Sequence, residues 1–187
     1  MQHTAFAVVD VETTHGDPLQ GRIIEMACVV HDGIRELDRW NTLVRPMDAM
    51  VPPFVQRLTG ITPAMLEHAP AFGQIAKSVL HSTEGRILVA HNIRYDHTVL
   101  QQECERAGYA LLPDTLCTER LSRRLMPHLA YYNLTSLCRH VGIAKGHHHR
   151  AAHDVQATLS LLLFLLEEHG IEQILSTVVR QPRELRA

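Results

Sequence analysis

A surplus of charge is the first thing this chain lacks. Its 187 residues carry 18 Lys and Arg against 20 Asp and Glu, a formal net charge of −2. No global basic field therefore draws in nucleic acid, and such a partner has to be held by local features. Cysteine is sparse too. Cys28, Cys104, Cys117 and Cys138 form no C-x-x-C pair and no zinc-like spacing, which argues against a disulfide framework and points to reduced, buried thiols in a cytoplasmic protein. No charged segment followed by an apolar one opens the chain, so no secretory signal is expected. The longest apolar run, residues 159–166 broken by Ser160, falls far short of the roughly 20 residues that cross a bilayer. A buried helix is expected there, and no membrane partner. Internal repeats, low-complexity tracts and interdomain linkers are also missing.

What is there is an ordinary globular composition, 45% hydrophobic and 20% charged. The length suits one domain burying roughly 70% of its unfolded surface. One domain over residues 1–179 is expected, with a short frayed tail over 180–187. The 14 histidines carry the net charge to positive values in mild acid.

Residues 5–14, 22–30 and 36–44 read as three strands, joined by Gly- and Pro-containing turns as an antiparallel meander. Pro52-Pro53 opens a short helix to residue 58, and Thr62-Pro63 caps and starts the next. Residues 71–80 read as an amphipathic helix, 86–90 as a short apolar strand, and 95–107 as a helix stopped by Gly108. A weak strand at 115–116 precedes helices at 119–125 and 134–141. An exposed loop over 145–150 follows, and the longest helix runs from 151 to 168, ended by Gly170. Three strands followed by βα alternation predict an α/β fold, a mixed sheet flanked by helices.

The first strand ends in two carboxylates, Asp10 and Glu12. Side chains alternate along a strand, so both project from one face. Two anions that close repel by roughly 4 kcal/mol at about 4 Å with an effective dielectric near 20. A fold keeps such a pair where a cation lies between them, where one takes a proton, or where both are solvated at an exposed strand end. Two further sites bear on the choice. The strand at 86–90 runs into His91-Asn92 and then into a helix whose start holds Asp96; ligands of α/β sheets gather outside the carboxyl ends of strands. His149 and Asp154 would stand about 140° apart on a continuous helix. They converge only if His149 lies in the loop ahead of the helix and Asp154 in its first turn, which the preceding glycine- and histidine-rich run permits.

Asp10-x-Glu12-Thr13-Thr14, Ala90-His91-Asn92-x-x-Tyr95-Asp96 and His149-x-Ala151-x-x-Asp154 resemble, in order and rough spacing, the three motifs of the DEDDh 3′–5′ exonucleases. Within that family they are most like the proofreading (epsilon) subunits of bacterial DNA polymerase III. Arg57-Leu58-Thr59-Gly60-Ile61-Thr62 resembles a loop common in the same family, and the likeness runs over residues 5–168. Tyr95 stands where a Phe is usual, and His15 where a Gly often follows the two threonines. Arg150 occupies the position at which the tyrosine class of these enzymes would carry its Tyr.

The resemblance implies a ribonuclease H-like fold with a five-stranded mixed sheet. It implies a metal-dependent 3′–5′ exonuclease that releases nucleoside 5′-monophosphates from single-stranded or frayed 3′ ends of DNA. A nucleic acid with a free 3′ end is then the partner, with a polymerase or repair assembly as a second. Two Mg²⁺ or Mn²⁺ ions are implied, because charge must be neutralised on the attacking and leaving oxygens and hard cations take oxygen ligands. Asp10 would serve both ions, Glu12 and Asp154 would complete one, and Asp96 would act through a water. His149 would take the proton of the attacking water, and Thr13, Thr14, His91 and Asn92 would meet the substrate. An exoribonuclease resembling oligoribonuclease or ribonuclease T is the alternative substrate reading. A non-catalytic nucleic-acid-binding module would usually have lost a carboxylate, and none is lost. His149-x-x-x-His153 has the spacing of a zinc pair, but Arg150 stands where a zinc peptidase places its Glu. His153 reads as a helix-surface neighbour of Asp154, and His91 also reads as a positioning or satisfied buried histidine.

Overall fold

The computed structural model describes residues 4–144, 146 and 149–181. Five strands, β1 (Phe6–Thr13), β2 (Ile23–His31), β3 (Glu36–Leu43), β4 (Ile87–Ala90) and β5 (Asp114–Cys117), form one sheet in the order β3-β2-β1-β4-β5. β1, β2 and β3 pair antiparallel, as the short turns require, while β1-β4 and β4-β5 are parallel. The mixed α/β sheet is therefore the one expected, with β1 at its centre. The helices are α1 (Pro53–Thr59), α2 (Pro63–Leu66), α3 (Phe72–Thr83), α4 (Ile93–Arg106), α5 (Thr118–Leu125), α6 (Leu134–Val141), α7 (Ala151–His169) and α8 (Ile171–Leu175).

Alternation along β1 sorts its side chains into two cores. Phe6 and Val8 pack with Leu121, Leu137, Ala151, Val155 and Leu162 under α5, α6 and α7. Ala7, Val9 and Val11 pack with Phe72, Val79, Val99 and Leu100 under α3 and α4. The even-numbered face that carries Phe6 and Val8 toward α7 continues into Asp10 and Glu12. Hydrophobic burial of β1 thus aims both carboxylates at the amino end of α7.

Local details differ from the sequence reading in three places. α4 begins at Ile93 rather than 95, because Asn92 adopts a left-handed conformation (φ 69°) that turns the chain straight from strand into helix; Asn tolerates this conformation better than most residues. Thr62 stands at the start of α2 ahead of Pro63, but its hydroxyl makes no capping bond. α8, a short helix after Gly170, was not foreseen. At the start of the expected tail, the Arg180 guanidinium and the Gln181 N–H both reach the Asp114 carboxylate; residues 182–187 lie outside the described residues. All four cysteines are buried, and none is in a disulfide among the described residues. Among the described residues no helix is long and apolar enough to cross a membrane.

Candidate active site

Three carboxylates converge where β1 meets α7. One oxygen from each of Asp10, Glu12 and Asp154 lies within 4.8 Å of the others. α7 starts at Ala151, so Asp154 falls in its first turn, and His149 precedes the helix in a left-handed conformation (φ 59°). The His149 N–H donates to Asp154 Oδ2 at 3.1 Å. This is the broken-helix geometry that the five-residue spacing demanded. Asp96 approaches from the other side of β1. Pairing of β1 with β4 covers only Phe6 to Val8, and farther along the strand the Val11 N–H donates to Asp96 Oδ1 at 3.3 Å. Asp96 is buried in the first turn of α4 and stands apart from the three-carboxylate group.

The electrostatics are those of a crowded anionic site. Burial, then the charges of Asp154, Glu25 and Asp96, push the Glu12 carboxyl up to about 8, against a lowering by Arg150. Burial likewise raises Asp96, with its own N–H and that of Val11 pulling the other way. Both carboxyls therefore resist ionisation until positive charge arrives. The donor set is all carboxylate oxygen, which suits a hard divalent ion such as Mg²⁺ or Mn²⁺ better than a soft one. Among the described residues this is the sole group of three or more metal-ligating side chains, and His149 with His153 is not part of it. His153 is exposed on α7 with its ring against Gly146, the helix-surface position expected. His147 and His148 lie outside the described residues.

Of the residues expected at the substrate, three are engaged within the protein. His91 has both ring nitrogens in hydrogen bonds, Nδ1 with Thr118 Oγ1 and Nε2 with the Tyr132 carbonyl, each at 2.9 Å. A carbonyl can only accept, so Nε2 carries hydrogen, and the ring braces β4 to α5 and to the segment before α6. Thr14 accepts the Arg22 N–H at 3.0 Å. The Thr13 and Tyr95 hydroxyls are hydrogen-bonded to each other. Both lie within reach of the His15 carbonyl, at 2.8 and 2.6 Å, so one donates to the carbonyl and the other to its neighbouring hydroxyl. Both threonines are nearly buried, so their hydroxyls secure the loop after β1 rather than reach outward. Asn92 is exposed. The two departures noted in the sequence, Tyr95 and His15, turn out to be bonded to each other.

Two residues escaped the sequence reading. Glu25, directly opposite Glu12 in the β1-β2 register, is 1% exposed. Its carboxylate accepts two-pronged bonds from the Arg150 guanidinium (2.9–3.2 Å) and the Ala151 N–H at 2.9 Å. Arg150, at the cap position, makes no side-chain capping bond, so Glu25 satisfies an orphan N–H at the start of α7 from the neighbouring strand. The pair fixes the helix end that carries His149 and Asp154. A signal existed: Glu25 is the one charged residue between Ile23 and Val30, in a strand buried along its whole length.

A family model for exonucleases matches residues 7–162, a span holding every one of these carboxylates. The chain belongs to the exonuclease family. It is 34% identical to the 3′–5′ exonuclease DinG of Bacillus subtilis (strain 168), over 99% of this chain but 20% of DinG. It is 29% identical to the DNA polymerase III subunit epsilon of Aquifex aeolicus (strain VF5), over 87% of this chain and 81% of that protein. Among solved structures it superposes on exonuclease X in complex with 5′ overhanging duplex DNA, with a TM-score of 0.73 and 30% identity. That match covers 92% of this chain and 98% of exonuclease X. The ribonuclease H-like fold of these enzymes is the fold described above, and the chain spans only a minor part, 12–28%, of the length of several of the curated relatives it matches.

Proposed function

We propose that this chain is a metal-dependent 3′–5′ exonuclease that removes nucleoside 5′-monophosphates from single-stranded or frayed 3′ ends of DNA. The observation that carries the reading is the meeting of Asp10, Glu12 and Asp154 beside His149 at the end of the central strand. Asp10 and Glu12, with Asp154 from α7, would hold Mg²⁺ or Mn²⁺. Asp10 would serve both ions, and buried Asp96 would assist from beside Val11. Bound there, the ions neutralise charge on the attacking and leaving oxygens of the displacement. His149 accepts the proton of the attacking water, the new P–O bond forms, and the bond to the upstream 3′ oxygen breaks as that oxygen takes up a proton. Glu25 and Arg150 keep the His149–Asp154 segment in register with β1. Single-stranded ends suit this site because the terminal phosphodiester has to enter a cluster of buried carboxylates.

DNA as substrate is supported by exonuclease X, a relative of similar length whose structure is a DNA complex. A polymerase or repair assembly as partner is supported by the resemblance to a polymerase III subunit, and a cytoplasmic location by four buried thiols outside any disulfide. One exonuclease domain over residues 1–179 is supported by the paired backbone bonds that tie Val179 to Thr115. Matched DNA and RNA oligonucleotides, labelled at either end and incubated with Mg²⁺, Mn²⁺ or EDTA, test the proposal. Shortening of DNA from the 3′ end, only with the cation, is the expected result. Activity in EDTA or products released from the 5′ end would overturn it.

A further inference from the structure

Cavities outside the carboxylate site differ in the charges that line them. One, at the amino ends of β1, β4 and β5, holds Glu84 and Asp114 beside Arg86 and Arg180. A groove between β3 and α3 holds Asp38 beside Lys77. A third, of about 260 Å³, lies between β5, the start of α4, α5 and the segment after α8. Among the described residues its charged lining is Arg120 and Arg124, with no Asp or Glu. None of Asp10, Glu12, Asp96, His149 and Asp154 lines it, so it is a separate site.

α5 sets the two arginines side by side. Leu121 and Ser122 are buried, Leu121 in the core shared with α6 and α7, which leaves Arg120 and Arg124 exposed one turn apart. Cβ atoms at that spacing are roughly 5–6 Å apart, and like charges there weaken a helix. The acidic residue of the helix is already taken. Glu119 pairs with Arg123 at 2.8 Å, and the Arg123 guanidinium stacks on the Tyr132 ring. Neither Arg120 nor Arg124 has an ion-pair partner among the described residues. Thr115 and Val179 exchange both backbone bonds, each of 2.9 Å, and fix another wall. The Ser176 and Thr177 hydroxyls donate to the Gln173 and Ile174 carbonyls at 2.7 and 2.8 Å, so toward a ligand they only accept. Ile93 and Leu121 add buried apolar surface.

We infer that this cavity binds a phosphate group carried on a nucleoside. Guanidinium forks match phosphate oxygens two at a time, and an anion between Arg120 and Arg124 answers the like charges of α5. The arginines hold the phosphate, a hydroxyl of the attached sugar donates to Ser176 or Thr177, and the apolar surface takes the ring. The volume lies just under the range of about 300–1,000 Å³ usual for small-ligand sites, which suits a nucleoside 5′-monophosphate. A backbone phosphate of a DNA strand offers the same charge chemistry. The site needs neither metal nor turnover, so it stands apart from the nuclease reading.

Calorimetric titration of the Asp10→Ala protein, in EDTA and a phosphate-free buffer, tests it. The probes are thymidine 5′-monophosphate, inorganic phosphate, thymidine and a thymidylate oligonucleotide. Thymidine 5′-monophosphate should bind more tightly than inorganic phosphate, and thymidine far more weakly than either. Adding Arg120→Gln or Arg124→Gln should weaken the monophosphate about five-fold or more, while Arg139→Gln, an exposed change on α6 outside the cavity, leaves it unchanged. Circular dichroism melts confirm that each variant is folded. An arginine-dependent loss seen with the oligonucleotide and not with the monophosphate would support the phosphate site and assign it to a strand backbone. Thymidine binding as tightly as its monophosphate, no binding of any phosphate probe, or binding that both arginine variants leave intact would overturn the inference. Failure of the wild-type protein to degrade any end is a separate result and counts against the nuclease reading alone.

Discussion

Glu12 and Glu25 face each other across the β1-β2 pair, and both are almost completely buried. Their surroundings differ in one respect. Glu25 meets a guanidinium and a helix N–H, so its charge is answered from within the chain. Glu12 meets Asp10 and Asp154, and its carboxyl is pushed up to about 8. A buried carboxylate with a partner holds a structure together, whereas one crowded by others is costly until a cation arrives. Only the second kind makes sense as a device for binding something from outside.

The comparison can be broken from either side, and the largest effect should come from the crowded one. Asp10→Ala should lower exonuclease activity by about 10³-fold or more, since several kcal/mol of charge stabilisation at the reacting phosphate goes with the ions. Its melting temperature without metal should hold or rise. A variant unfolded by circular dichroism would assign Asp10 a structural role instead. On the partnered side, Glu25→Gln removes the charge that answers the partly exposed Arg150 guanidinium and should destabilise the protein by about 2 kcal/mol, roughly 4–8 °C at this size. Glu12→Gln should move the melting temperature up at pH 8, opposite in sign, and thermal scans of the two variants side by side show whether it does.

His149→Ala should reduce turnover by about 10²-fold with metal binding largely retained, and the acidic limb of the rate profile should flatten, because a base must be neutral to accept a proton. His153→Ala, changing an exposed ring, should matter little. A crippling His153→Ala beside a mild His149→Ala would reverse the assignment. The smallest effect is at the loop after β1. Tyr95→Phe removes the hydroxyl that bonds the His15 carbonyl and should cost about 1 kcal/mol in a denaturant titration.

The carboxylates were legible in the sequence because their spacing is set by strand alternation and by one helical turn, both short-range rules. The same holds for the meander, where each turn is written locally in Gly, Pro and Asp. What was not legible depends on residues brought together across the chain. Glu25 and Arg150 are 125 residues apart, and neither spacing nor propensity links them. The partners of the His91 ring, Thr118 and Tyr132, approach from elements far along the chain. The hydroxyls of Thr13 and Thr14 likewise find partners outside their own motif, in Tyr95 and Arg22. The early start of α4 turned on a single left-handed Asn.

The central claim is that Glu12 sits in a site built for a cation, and thermal melting at pH 6 and pH 8, with and without Mn²⁺, tests it most directly. A carboxyl ordinarily at 4.5 that stands at about 8 in the fold leaves the native state holding the extra proton between those values. Without metal, stability should therefore fall as pH rises across that window. Mn²⁺ competes with the proton, so it should raise the melting temperature more at pH 8 than at pH 6, and Glu12→Gln should lose most of both effects. A Mn²⁺ shift no larger at pH 8 than at pH 6, or one that Glu12→Gln leaves intact, would contradict the account.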